Sequence, residues 1–247
     1  MNSAYHRRVA SLRDLGNLTS RQLHTVSSAL IVPVGSTEQH GPHLPLDTDT
    51  RIATAVANSV VEGMADRDDL TWMVAPGIGY GASGEHEGFT GTVSIGTEAL
   101  SLLLLEFARS ASRWASRLVF VNGHGGNVEA LAAATALLRT EGRDAAWCSC
   151  SVPNADAHAG HTETSVLLHI SPKDVWLDER VIGNRAPLAE LMPELRRGGV
   201  AAVSKIGVLG DPTTASAQDG ARLFATMVDG CLQRIIRWAP DRNGMLV

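Results

Sequence analysis

No stretch of this sequence stays apolar for the roughly eighteen residues that a membrane-spanning helix requires, so a bilayer partner is not expected. Basic residues are not in excess either. The 21 Lys and Arg stand against 26 Asp and Glu for a formal charge of -5, whereas a phosphate-backbone partner calls for a basic patch or stripe, so nucleic acid is not an expected ligand. Cysteine is scarce. Cys148, Cys150 and Cys231 cannot all pair within one chain, and no second Cys/His pair stands at zinc-finger spacing, so free thiols in a reducing compartment are expected. Arg7 and Arg8 are not followed by the apolar region of a secretory signal, because Arg13, Asp14 and Asn17 interrupt it. Cytoplasmic residence follows. Repeats, blocks of like charge and low-complexity tracts are also missing.

What is present is a chain of 247 residues, 44% hydrophobic and 19% charged, a composition that suits one globular domain over 1–247. Short apolar runs alternate with segments of helical period, the pattern of a mainly parallel sheet covered by helices. Strands are expected at Ala29–Val34, Thr71–Ala75, Arg117–Val121 and Ala145–Ser149. Helices are expected over Thr50–Met64, where Ile52, Val56, Val60 and Met64 recur every four residues, over a segment capped by Thr97 that runs through Leu103, Phe107 and Trp114, and over Asn127–Glu141, ended by Gly142. Further helices are expected from Thr162 to just before Pro172, and from Ser216, where Ser216-x-x-Asp219 resembles a capping box, to Trp238. Pro76–Gly96 reads as a long loop with seven glycines. Loops of that length are usually functional or disordered.

Four stretches carry chemistry: Glu38-Gln39-His40-Gly41-Pro42-His43, Asp47-Thr48-Asp49, Asn122-Gly123-His124-Gly125-Gly126-Asn127, and His158-Ala159-Gly160-His161-Thr162-Glu163-Thr164-Ser165. Three of them follow predicted strands, beyond the carboxyl ends where open α/β sheets bind ligands. Taken singly, each histidine would be an ordinary hydrogen-bonded residue, Glu38 a solvated charge and each glycine cluster a turn. Their concurrence on one sheet edge points instead to divalent metal, since imidazole binds zinc, manganese or iron and carboxylates can bridge two ions. Glu38 and His40, two apart, project from one face of an extended segment. Asp49 and Asp47 are rival carboxylates, because an aspartate at a helix entrance can simply cap it. The glycines around His124 let the backbone come close to a bound group, with Gly125 and Gly126 as candidate contacts. Metal would supply hydroxide near neutral pH, and a histidine not used as a ligand would protonate a departing nitrogen. His158 is the candidate. Glu85 and His86, in the Gly77–Gly91 loop, are candidates for polar contacts to substrate, although turn-rich surface structure explains that loop equally well.

Gly35-Ser36-Thr37-Glu38-Gln39-His40-Gly41-Pro42-His43, the Asn122–Asn127 motif and His158-Ala159-Gly160 with Glu163-Thr164-Ser165 resemble the creatininase family of metal-dependent amidohydrolases. The resemblance implies a three-layer α/β/α sandwich, two divalent ions per subunit (zinc, iron(II) or manganese) and a homo-oligomer, in many members a hexamer. It puts Glu38, His40, Asp49 and His124 on metal-ligand positions and His158 on a catalytic one. Creatinine-hydrolysing members carry a glutamate ligand where this chain has Gly126, so creatinine is a poorer expectation. In relatives sharing Asn-Gly-His-Gly-Gly-Asn, the glutamate matching Glu163 looks like the replacement, which makes Glu163 both a ligand and a catalytic candidate.

Leu44–Ala55, Tyr80–Phe89 and Gly207–Pro212 are similar to family members that act on a small ribosomally made precursor peptide. Those members release a modified C-terminal Val-Tyr-derived unit on the way to a redox cofactor. Two other expectations compete: a small-molecule amidohydrolase or deformylase using the same residues, and a non-catalytic oligomer stabilised by fully coordinated metal.

Overall fold

The computed structural model describes residues 13–65 and 67–247; the Arg7/Arg8 segment lies outside them. Four strands, β1 (Ser28–Val34), β2 (Thr71–Val74), β3 (Ala115–Asn122) and β4 (Ala145–Ser149), form one parallel sheet in the order β2-β1-β3-β4. Every residue of β1 is buried, the pattern of a strand covered on both faces. Alternation along β1 sorts its side chains: Ala29 and Ile31 join one apolar layer, Leu30, Val32 and Val34 the other.

There are six longer helices among the described residues: α1 (Thr48–Gly63), α2 (Gly96–Ala111), α3 (Val128–Thr140), α4 (His161–Ile170), α5 (Leu188–Val203) and α6 (Ala217–Arg237). Five of them lie against the two faces of the sheet and one, α5, beside the carboxyl edge. Ile52, Val56 and Val60 of α1 pack with Val166 and Leu167 of α4 and Met227, Cys231 and Ile235 of α6 on the first face. Leu100 and Leu104 of α2 and Leu131, Ala134 and Leu138 of α3 cover the second. The expected α/β/α layering is thus present. Replacing a fully buried residue such as Leu30 or Leu131 by alanine would cost about 2–5 kcal/mol.

Topology places the site. The chain leaves β1 for α1 on the first face and leaves β3 for α3 on the second, so the loops after these adjacent strands diverge and open a crevice at their carboxyl ends. Val34 and Asn122 are register partners at that edge. The Glu38, His40 and His124 segments begin immediately beyond it.

Three helix boundaries differ from the expectations by more than a residue, for physical reasons. Asp49 and Thr50 lie inside the first turn of α1, which starts at Thr48 with Asp47 at the cap position. Thr97 likewise lies within α2, because Gly96 with φ 76° turns the chain into the helix and Ile95 takes the cap position. Trp114 falls beyond the end of that helix, which stops at Ala111. Helix α5, absent from the expectations, shows Leu188, Leu191, Met192 and Leu195 at helical spacing, but Pro193 and the Gly198-Gly199 pair interrupt the pattern. Gly199 breaks the helix with φ 65°, and a Cβ there would lie 2.5 Å from the Glu85 carbonyl oxygen. The Cys148, Cys150 and Cys231 thiols are free. Among the described residues, no helix is long and apolar enough to cross a membrane.

Candidate active site

The loops beyond β1, β3 and β4 meet the start of α1 and α4 at a buried cluster of imidazoles and carboxylates. Asp49 lies at its centre: Oδ1 is 3.1 Å from His40 Nε2, and Oδ2 is 3.2 Å from His124 Nδ1. Ser36 Oγ donates to Oδ2 at 2.6 Å and holds the carboxylate in place. Asp47 points elsewhere, pairing with Arg51 at 2.7 Å. Of the two rival carboxylates, only Asp49 joins the cluster.

Glu38 is fully buried, yet neither of its carboxylate oxygens has a hydrogen-bond partner. Oε1 lies 3.3 Å from His86 Nε2 and 3.7 Å from His158 Nδ1, and Oε2 lies 3.3 Å from His124 Nε2, all without hydrogen-bond geometry. A buried carboxylate left without donors is costly unless a cation satisfies it. The donor set therefore fits metal. Three groupings of side chains could hold an ion: Glu38 with Asp49 and His124, His40 with Asp49 and Glu163, and Glu38 with His40 and His158.

The proton inventory agrees. His40 Nδ1 lies 3.1 Å from the Glu38 carbonyl oxygen and donates to it, so Nε2 is the nitrogen turned toward Asp49 and Glu163, the latter 3.9 Å away. His158 Nε2 donates to the Gln39 carbonyl at 2.8 Å, which leaves Nδ1 free on the Glu38 side. Gln39 fixes a third ring. Its Oε1 accepts from Gly41 N at 2.9 Å and its Nε2 donates to Gly207 O at 3.1 Å, which sets the orientation of the amide. The same Nε2 lies 2.9 Å from His86 Nδ1, so that nitrogen accepts and the proton sits on His86 Nε2, facing Glu38. Second ring nitrogens anchored on backbone or amide groups are typical of metal-site histidines.

Electrostatics show protons standing where cations would balance charge. Burial opposes a charge on His40, but Asp49, Glu163 and Glu38 outweigh it and raise its pKa to about 10. Burial also opposes a charge on His124, and Glu38 and Asp49 again prevail, so His124 is pushed well up. For Glu38, burial and Asp49 favour the neutral acid, yet His124 and His40 hold its pKa down at about 2. Burial lifts Glu163 to about 7 despite His40. His158 goes the other way: burial, with His40 and His86 nearby, keeps it neutral. Burial lowers His86 to about 4.

Local sequence explains the convergence. Gly123 lets β3 end against α1, where a Cβ would lie 2.5 Å from Asp49 O. Asn127 ties the loops together, donating to Gly35 O at 2.9 Å and accepting from Ala82 N at 2.9 Å. Gly126 has no room for a side chain: a Cβ would meet Ala82 O at 2.2 Å, His124 Nε2 at 2.5 Å and Glu85 Oε1 at 2.8 Å. Glu163, in the first turn of α4, accepts from Ala159 N at 2.6 Å. Glu85 lies 3.5 Å from His124 Nε2, and burial raises its pKa.

A cavity of 440 Å³ opens onto the cluster. Asp49, Glu85, His86, His124, Gly125, Gly126, His158 and Glu163 line its inner side, and Leu188, Met192, Leu195 and Val200 of α5 its outer side. Every site residue named from the sequence except Glu38 and His40 lines this cavity; those two lie directly behind it, fully buried. Sequence reasoning missed the α5 wall and the anchoring amide of Gln39. The helical spacing of Leu188, Leu191, Met192 and Leu195 was the available signal for the first.

The family described as "Creatinine amidohydrolase" matches residues 16–235. A protein of Mycolicibacterium smegmatis named mycofactocin precursor peptide peptidase is 72% identical over 246 residues, covering 100% of both chains. Its namesake in Mycobacterium tuberculosis H37Rv is 62% identical over 250 residues, again across 100% of both. The solved structure "Creatininase Mn" superimposes with a TM-score of 0.75 at 27% identity, covering 92% of this chain and 98% of that one. Matched along nearly all its length, in sequence and in fold, this chain belongs to the creatininase family.

Proposed function

We propose that this protein is a divalent-metal-dependent amide hydrolase that cleaves a modified ribosomal precursor peptide near its C-terminus, releasing the Val-Tyr-derived unit of a redox cofactor. The observation that carries the chemistry is Glu38, a buried carboxylate with no hydrogen-bond donor amid imidazoles. The peptide substrate is supported by the full-length likeness to the two mycobacterial peptidases.

Glu38, Asp49 and His124 would hold one ion, and His40, Asp49 and Glu163 a second. Asp49 can belong to both groups because its two oxygens face different histidines. Three carboxylates would then offset most of the four positive charges. When bound, such ions polarise an amide carbonyl and bring the pKa of water to about 7. Zinc, iron(II) and manganese all suit this mixed oxygen and nitrogen set.

The remaining steps belong to side chains. His158, neutral and anchored through Nε2 on Gln39 O, takes a proton at Nδ1 from the attacking water and returns it to the leaving nitrogen. The imidazolium formed in between faces Glu38, which stabilises it. Glu163, held by Ala159 N, keeps its second oxygen available at the cavity wall. Gly125 and Gly126 present backbone to the substrate, and α5 screens the reacting amide from water.

The test is mass spectrometry of the modified precursor peptide, its unmodified form, creatinine and a formamide, each incubated with protein loaded with zinc, iron or manganese. Release of the C-terminal unit from the modified peptide is expected, with the small molecules essentially untouched. Rapid turnover of either small molecule, with the peptide left intact under every metal, would replace this reading with a small-molecule amidohydrolase.

A further inference from the structure

A second cavity, of 580 Å³, adjoins the 440 Å³ cavity above the cluster, and the two share Ala157, Leu188 and Leu209. We infer that it is the subsite for the peptide segment on the acyl side of the scissile amide, with the first cavity taking the unit that is released. This inference rests on the peptide-hydrolase reading above and adds a binding site and a substrate direction to it.

The segment Ala157–Glu163 joins the two spaces. Ala157 lines both, His158 and Glu163 line the first, and His161 and Thr162 line the second. An extended chain lying across both cavities therefore passes over the two groups assigned to catalysis. A ligand the size of creatinine would leave the second cavity empty. Ligand pockets usually span about 300–1,000 Å³, so the two cavities together suit a substrate of several residues.

The walls differ, and the difference sets the direction. Met192, Leu195 and Val200 line only the first cavity and, with Arg196 beside them, give its outer side a mainly apolar face, which matches an aliphatic and aromatic Val-Tyr-derived unit. The second is richer in polar side chains, among them Asn154, Asp156, His161 and Asn184, and its shape is fixed by groups already satisfied within the protein. Asp156 accepts from His161 N and, at 3.0 Å, from Thr162 N. Asn184 donates to Val203 O at 3.0 Å and accepts from Ala186 N at 3.0 Å. A preformed wall of this kind lowers the ordering cost of binding. Two donors on it remain free, since among the described residues the side chains of Asn154 and Arg185 make no hydrogen bond or ion pair. Main-chain carbonyls of an extended peptide are the acceptors such donors recognise.

Ala155 is exposed and lines only the second cavity, so Ala155→Trp fills it without touching the core or the catalytic groups. Two substrates are compared: the intact modified precursor, and a shortened form that keeps a single residue on the acyl side of the scissile bond. Wild type should show about tenfold or more higher kcat/KM for the intact peptide, because binding energy gained remotely positions the amide. Ala155→Trp should abolish that advantage and leave the shortened substrate unchanged. In parallel, a fluorescent acyl-side product peptide is titrated into metal-free protein, where both Ala155→Trp and Arg185→Ala should weaken binding by about tenfold. Thermal melts of the variants confirm folding. Equal kcat/KM for the two substrates in wild type, or an equal loss on both in Ala155→Trp, would overturn the subsite. Absence of cleavage of either substrate by metal-loaded wild type would overturn the hydrolase reading instead, and the subsite would then stand or fall on the peptide titration alone.

Discussion

The side-chain amide of Gln39 donates to His86 Nδ1 at 2.9 Å and thereby turns the protonated Nε2 of that ring toward Glu38. Gln39→Leu would leave His86 Nδ1, Gly207 O and Gly41 N without their buried partner. Each unsatisfied group costs about 1–3 kcal/mol, so a clear fall in the denaturant midpoint is expected, together with a lower kcat as His86 loses its orientation. Chemical denaturation beside steady-state kinetics reads both. Unchanged stability would show that the amide does not hold this ring.

Asp47 and Asp49 stand two residues apart at the start of α1 but face different surroundings. Asp47 pairs with the partly exposed Arg51, whereas Asp49 is buried between His40 and His124. Asp49→Asn should lose bound metal, and Asp47→Asn should keep it with a stability change of about 1 kcal/mol or less.

His158→Ala should retain metal and fold while losing about 10² to 10⁴ in rate, the usual scale for a general acid or base. Elemental analysis and turnover of the same preparation separate the two effects. Wild-type turnover would remove His158 from the mechanism.

Metal-free protein should respond to pH in a definite direction. His40 rises from its ordinary 6.5 to about 10 in the folded state, so the stability it contributes is full below pH 6.5 and is lost as the pH climbs through 10. His124, also raised, acts in the same sense. Glu38, lowered from 4.5 to about 2, adds stability above pH 4.5 that disappears as pH falls through 2. Thermal melts of chelator-treated protein should therefore decline from neutral to alkaline pH. Metal must displace the histidine protons, so calorimetric titration with zinc in buffers of different ionisation enthalpy should show net proton release. Buffer-independent heats would contradict it.

Gly126→Ala should destabilise the protein by about 1–3 kcal/mol and weaken metal binding, because its Cβ would strike Ala82 O and His124 Nε2. Gly126→Glu should yield no creatinine hydrolysis for the same reason: Glu85 and the Ala82 backbone already occupy the space.

Much of this arrangement was legible in the sequence because each motif follows a strand of a parallel sheet, and the topology brings such loops to one edge. β4 and the ends of α4 and α6 were read to within about a residue, because Gly142 precedes the strand and Pro172 and Pro240 follow the helices. The start of α1 was misplaced because aspartate and threonine are good caps wherever they stand; the resemblance favoured Asp49 over Asp47, and its burial in the cluster agrees. Helix α5 was hidden by Pro193 and Gly199, residues that usually end helices and here kink one over the cavity. Gln39 gave no local signal at all. Its partners His86 and Gly207 are distant in sequence, and only the fold assembles them.

The most direct test of the dinuclear assignment is the metal content of wild type beside His40→Ala, His124→Ala and Asp49→Asn, measured by elemental analysis after reconstitution and desalting. About two divalent ions per chain are expected in wild type, with substantial loss in each single-histidine variant and the largest loss in Asp49→Asn, whose carboxylate is assigned to both ions. Full metal occupancy in all three variants, or a wild type that retains no metal at any loading, would contradict it.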